Sequence, residues 1–461
     1  MLWTGGTSFW DVSGNWQGDA VPGASNDVII DVDGVHTVTV RSTGRPFTVN
    51  SINMNGGDET LAISNGSLTL LGAATVDNPT GESVITNLIM SGASAVLAGA
   101  GNLTVTGSAS LSSGATMTGT GTTTLQGTTT ISGSEFALDD GRVLRNEGTL
   151  TWSGFTGINL NPNTANGGVG SIVNAAGAVS TDGTPTFDNA GMFVKSGGAG
   201  DTFIGAQFNN TGTLEVQMGN VRLAGGSTHT GATLLSTGNG TIEFSNGVHT
   251  LDAATSLTAT NVEFSFTGTT TIAGVYDVSG TTTLGSGYVA TFLPGADLQS
   301  LGTTLVLSGF GELNLDAHDV SVVTLTASGI GTVSGTGTLT VTGTASLAGT
   351  MTGAGTTHLL EDTTTTINSA FNLDVGRVLL NEGTVNWTGG TINLNPVNTN
   401  NGVGHIINAA GATWNTTLNN GTITRQAIQT DGVAMFDNAG RFVRSGSGTG
   451  TTTINVEFNN T

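Results

Sequence analysis

The residues able to do chemistry in this chain are carboxylates and histidines, because cysteine is absent and lysine occurs once, at Lys195. Asp139-Asp140 is the most suggestive acid pair. Neighbouring residues on a strand point to opposite faces, however, which is poor geometry for two carboxylates acting on one bond. The Leu-Asp-x-Gly-Arg frame around them returns with Asp374-Val375, so the second acid is not kept. Asp139 and Asp374 therefore read as turn residues, whose side chains bond nearby backbone. Asp27, Asp31 and Asp33-Gly34 group hard oxygen donors of the kind calcium takes, and Asp31 and Asp33 alternate onto one side of a strand. A capping turn with solvated acids accounts for the same residues. The six histidines (His36, His229, His249, His318, His358, His405) lie far apart and show no paired ligand spacing. No serine sits in a Gly-x-Ser-x-Gly elbow leading into a helix. No catalytic, cofactor-binding or metal-binding residue is assigned, and calcium is the one cofactor kept in view.

Two other residue groups have a chemical reading. Trp3, Trp10 and Trp16 fall in one short segment, where they would either stack on sugars or plug the open core of a first coil. Terminal capping is a general need of repeat folds, and the plug is the expectation. Thr-x-Thr pieces such as Thr122-Thr123-Thr124 and Thr281-Thr282-Thr283 suggest a water-ordering, ice-binding face. Such a face needs the motif once per coil at constant spacing. The pieces here are interrupted by Asn-Gly and Phe-Asn blocks, so ice binding ranks last among the functions considered.

Composition limits what must hold these residues in place. Thirty-two acidic against 10 basic side chains give a net charge of −22, and charged residues are only 9% of the chain. A disordered chain carries more charge and less apolar surface than this. Scattered arginines and one lysine offer no basic stripe for phosphates, which excludes nucleic acid and electrostatic binding to an anionic membrane. No apolar run is long enough to span a bilayer. The start, Met1-Leu2-Trp3-Thr4, lacks the basic and apolar regions of a secretory signal, so such a signal is expected to have been removed or to lie outside this segment. Glycine, at 73 residues, is in excess, threonine is similarly abundant, and strong helix formers are few. The absence of cysteine suits a long exported chain that crosses a membrane unfolded.

Internal repetition is the dominant signal. Gly101–Thr211 recurs as Gly337–Thr461: Gly141-Arg142-Val143-Leu144 returns as Gly376-Arg377-Val378-Leu379, and Trp152 answers Trp387. About 15 extra residues around Trp414 to Gln426 read as a loop insertion, which solenoids tolerate. The second copy stops at Phe458-Asn459-Asn460-Thr461, mid-repeat, as a fragment of a longer chain would. A finer beat, apolar-x-Asn-x-Gly, appears at Leu144, Phe187 and Phe208. In it the apolar residue should point inward while Asn and Gly take turn or left-handed conformations. These features predict an all-β, right-handed parallel β-helix: about 20 coils stacked at roughly 4.8 Å in a single elongated rod on the order of 100 Å long. Residues 1–60 would form the capping region and first coils, 61–336 the solenoid with the first long repeat (101–211), and 337–461 the second copy.

The opening Trp3-Thr4-Gly5-Gly6, Phe9-Trp10-Asp11, Asn15-Trp16, Val21-Pro22-Gly23 and Asp27-Val28-Ile29-Ile30-Asp31, with the Phe/Leu-x-Asn-x-Gly and Gly-Thr-Leu-Thr-Val-Thr-Gly blocks, resembles the β-helical regions of large bacterial exoproteins. Those are the filamentous-haemagglutinin-like and related surface adhesins, including cyanobacterial ones. The resemblance covers nearly the whole chain and implies an extracellular or cell-surface location. It also implies a structural or adhesive shaft that self-associates end to end or laterally, or meets a glycan or protein receptor. The rival is a polysaccharide-active β-helix enzyme, a lyase or glycoside hydrolase. A lyase needs basic groups to receive uronate carboxylates and abstract a proton, and this chain is badly equipped for that. The expectation is therefore not an enzyme.

Overall fold

The computed structural model describes residues 1–54, 56–76, 78–112, 114–133, 136–153, 158–159, 171–174, 186–189, 192–195, 199–205, 207–396, 402–425, 432–445 and 449–461. It is 58% strand, with one short 3₁₀ turn at Ser13–Asn15 and no α-helix among the described residues, and its parallel coils stack into a β-solenoid of about 18 turns. The chain divides into two compact units, one of Met1–Thr228 with Thr237–Gly240, the other of His229–Ser236 with Thr241–Thr461.

In the first unit a coil consists of three short strands. Leu103–Val105, Ala109–Ser112 and Thr116–Thr118 make one such coil. Each pairs in parallel with its counterpart one coil on: Leu103 with Thr123, Ala109 with Thr129, Thr116 with Ala137. Alternation decides what goes inside, since side chains of a strand point to opposite faces in turn. Leu103, Val105, Ala109, Leu111 and Met117 are buried, while the residues between them are partly exposed. Burying a Leu or Met contributes about 1.5–3 kcal/mol, and ordering each residue of backbone costs about 1–2 kcal/mol. A lone coil therefore does not hold; its neighbours above and below make it stable.

The second unit repeats the scheme with longer strands, such as the 14-residue Thr338–Met351. Coil length is uneven. The chain takes 20 residues from Leu325 to its partner Ala345 and 29 from Val385 to its partner Trp414.

The residues inserted in the second copy are not the expected loop. Trp414 is fully buried in the strand Thr413–Thr416, which pairs with Thr384–Gly389, and Thr422–Thr424 pairs with Thr391–Leu394. In the first copy Leu150 pairs directly with Phe193. Alternation explains the outcome, because Trp414 and Thr416 point inward while Thr413 and Asn415 point out. Gln426 lies outside the described residues.

Candidate functional site

The asparagines of the short beat lie inside the solenoid and not in left-handed turns. Asn381, Asn408, Asn438 and Asn460 pair in register on consecutive coils. Their amides form a ladder, with Asn381 Nδ2 donating to Asn408 Oδ1 at 2.8 Å, Asn408 to Asn438 at 2.7 Å and Asn438 to Asn460 at 2.6 Å. In the first copy the backbones of Asn146, Asn174, Asn189 and Asn210 pair in the same register, and Asn189 donates to Asn210 at 2.8 Å. Asn146, Asn381 and Asn438 also tie off the corner that follows. Asn381 reaches the Gly383 carbonyl at 3.2 Å, and Asn146 reaches that of Gly148 at 2.9 Å. A primary amide carries both a donor and an acceptor, so each side chain can donate to the next coil and accept from the one before. Sequence reasoning missed this because Asn next to Gly is ordinarily a turn signal; the clue was its recurrence two residues after an inward apolar position.

The Leu-Asp-x-Gly-Arg frames are turns, as expected for Asp139 and Asp374. Asp140 and Val375 take φ of 53° and 51°, and Gly141 and Gly376 follow at 82° and 81°. The Asp139 and Asp374 carboxylates accept from the next backbone N–H at 2.9 and 3.0 Å. A β-branched Val375 at positive φ is strained. The turn delivers the arginine after it into the core, where Arg142 and Arg377 are fully buried. Arg142 Nη2 donates to Thr123 Oγ1 at 2.6 Å and Nη1 to the Gly99 carbonyl at 3.2 Å. Arg377 Nη2 donates to the Thr356 carbonyl at 3.0 Å and Nη1 to that of Gly335 at 3.4 Å. Each guanidinium thus holds acceptors on two preceding coils. Burial pushes both down to about 10. A Cβ on Gly121 or Gly355 would collide with the backbone carbonyl of Gly101 or Gly337 and come within 2.6 or 2.5 Å of the arginine Nη1, so both positions require glycine.

The aspartates suggested for calcium do not converge. Asp27 Oδ1 accepts from Asn50 at 2.7 Å and Ser51 at 2.5 Å, and Oδ2 accepts from Thr75 at 2.6 Å. Burial pushes its carboxyl up, but the bonds from Ser51, Thr75 and Asn50 outweigh this and leave it below the usual range. Asp31 instead shares the space over Gly56 with Glu59. Among the described residues no three His, Cys, Asp or Glu side chains are grouped to hold a metal.

Two of the scattered histidines pack on one aromatic ring. His229 and His249 are buried, with the Phe244 ring 6.1 Å from the first and 5.3 Å from the second, both edge-on. Desolvation drives His229 down to about 3 and His249 to about 4, so both are neutral in the fold. They lie on strands of adjacent coils, a relation that no ligand spacing in the sequence reveals. His405 Nε2 lies 2.8 Å from Asp437 Oδ2, and His358 Nε2 lies 2.9 Å from Glu382 Oε2. Trp3, Trp10 and Trp16 are buried, with centroids 4.7 Å apart for Trp3–Trp16 and 4.9 Å for Trp10–Trp16, both edge-on. Their faces are covered, so they fill core and offer no sugar platform.

In the second unit an open groove of about 530 Å³ is lined by Glu361, Asp362, Glu382, Gly383, Thr384 and Ala409 to Gly411. Its charges are of one sign. That favours cations over acidic sugars and supplies no cationic group for a uronate.

The threonine pieces, expected to be out of step, are in step. Thr281, Thr304, Thr324, Thr344, Thr364, Thr384 and Thr413 pair successively, each directly with the next. Interrupting blocks and uneven coils do not disturb them.

No known protein family, curated protein or solved structure matches this chain.

Proposed function

We propose that this chain is a structural and adhesive segment of an extracellular bacterial surface protein, a shaft whose repeated coils present polar columns to other molecules. The observation that carries this reading is the asparagine ladder, present in both long repeats. A buried amide column fixes each coil to the next and to one register. It contributes to cohesion along the stack, which is what a load-bearing shaft requires. The resemblance of the Trp3–Asp31 segment and the Phe/Leu-x-Asn-x-Gly blocks to filamentous-haemagglutinin-like adhesins supports the bacterial surface as the setting. Self-association, end to end or side by side, belongs to the same proposal.

Negative-stain electron microscopy of the purified chain at several concentrations tests it. Rods of fixed length, or fibres that lengthen with concentration, are the expected images. Compact particles at every concentration would overturn the shaft. Glycan-array binding on the same sample then separates an adhesive shaft from a passive one.

A further inference from the structure

We propose that the threonine face of the second unit is an ice-binding surface. The face has two columns. The first is Thr281, Thr304, Thr324, Thr344, Thr364, Thr384 and Thr413; the second, two residues further along each strand, is Thr283, Val306, Thr326, Ser346, Thr366, Asn386 and Asn415. Residues between the columns, such as Thr282, Leu325 and Trp414, are buried, so across each three-residue stretch only the two column positions face outward.

The geometry is a lattice. Coils lie roughly 4.8 Å apart and alternate residues of a strand roughly 6.8 Å apart, both close to repeats of the oxygen positions in hexagonal ice. Register shifts occur between Val322 and Thr324, Leu347 and Gly349, and Ile367 and Asn368, all outside the two columns. Seven successive coils therefore carry the array unbroken.

Side-chain chemistry matches an uncharged solid that donates and accepts equally. All fourteen positions are neutral in a chain of net charge −22. Glu263, paired with Thr283, and Arg441, paired with Thr413, bound the array at its two ends. Threonine is β-branched and stiff at χ1, so its hydroxyl and methyl are already placed before binding, and little ordering cost remains on contact with a rigid surface. The hydroxyls of Thr324 and Thr344 lie 3.4 Å apart, a long contact that leaves their hydrogen-bonding capacity largely for outside groups. Cross-strand threonine pairing itself stabilises a sheet, which is a reason for threonine at one rung. It does not require the second column to be neutral and small along the whole length.

The test is partition of the full chain into slowly growing ice, with single crystals watched just below their melting point. Wild type should concentrate in the ice and facet the crystals. Thr344→Lys with Thr364→Lys, both at exposed positions, should lower incorporation by roughly tenfold or more while circular dichroism and the melting temperature stay unchanged. Thr332→Lys, facing out from a different set of strands, should leave incorporation intact. Exclusion of wild type from ice overturns the proposal, as does equal incorporation of the double variant. Capture by cellulose or chitin particles without entry into ice also overturns it, in favour of a crystalline polysaccharide. None of these outcomes alters what electron microscopy says about the shaft.

Discussion

At the residue scale, what matters most is which polar groups are buried and how each is satisfied. His229 and His249 are neutral in the fold, with folded values near 3 and 4 against an unfolded value of about 6.5. Because the unfolded chain binds the extra protons, their contribution is fully present above about pH 6.5 and is lost as pH falls toward the folded values. By about pH 5 the loss should be roughly 2 kcal/mol for each histidine. Denaturant unfolding at pH 7.5 and pH 5 measures it. His229→Phe with His249→Phe should flatten the decline, and an equally steep decline in that variant would place the acid sensitivity elsewhere. These histidines were not legible as a pair from sequence, since one coil length is a tertiary quantity. The turn role of Asp139 and Asp374 was legible, because a turn is local.

At the scale of elements, a strand's worth lies in its ladder. Asn408 sits between Asn381 and Asn438 and bonds to both. Asn408→Ala leaves two buried amides short of a partner, so the second unit should lose about 2–4 kcal/mol. Asn408→Asp should cost at least as much at neutral pH, since it buries a charge in the column. Chemical denaturation of the three proteins checks this; an alanine variant within error of wild type would mean that the ladder adds nothing to cohesion. The buried arginines act at this scale too. Each guanidinium spans two preceding coils in a forked geometry that lysine lacks.

At the scale of the whole molecule, the charge of −22 is a self-repulsion that the fold carries throughout. Raising salt from about 10 mM to about 150 mM shortens the screening length from roughly 30 to 8 Å. The melting temperature should therefore rise by several degrees. Calorimetry across that range tests it; a melting temperature that falls with salt would mean that local ion pairs such as Arg41–Asp11 outweigh the net repulsion.

The sequence alone determined the all-β class, the stacking of repeats and the inward direction of apolar residues. Those depend on local preference and period-two alternation, which one strand already displays. Only the tertiary structure decided that Asn146 and Asn381 belong to buried ladders, that Trp414 starts a pair of strands, and that seven threonines fall in one column. The reason is physical: coils of uneven length, 18 residues from Thr338 to Thr356 and 31 from Thr391 to Thr422, place residues distant in sequence about 4.8 Å apart in space. Hydrogen bonding between coils sets that register, and spacing along the chain does not.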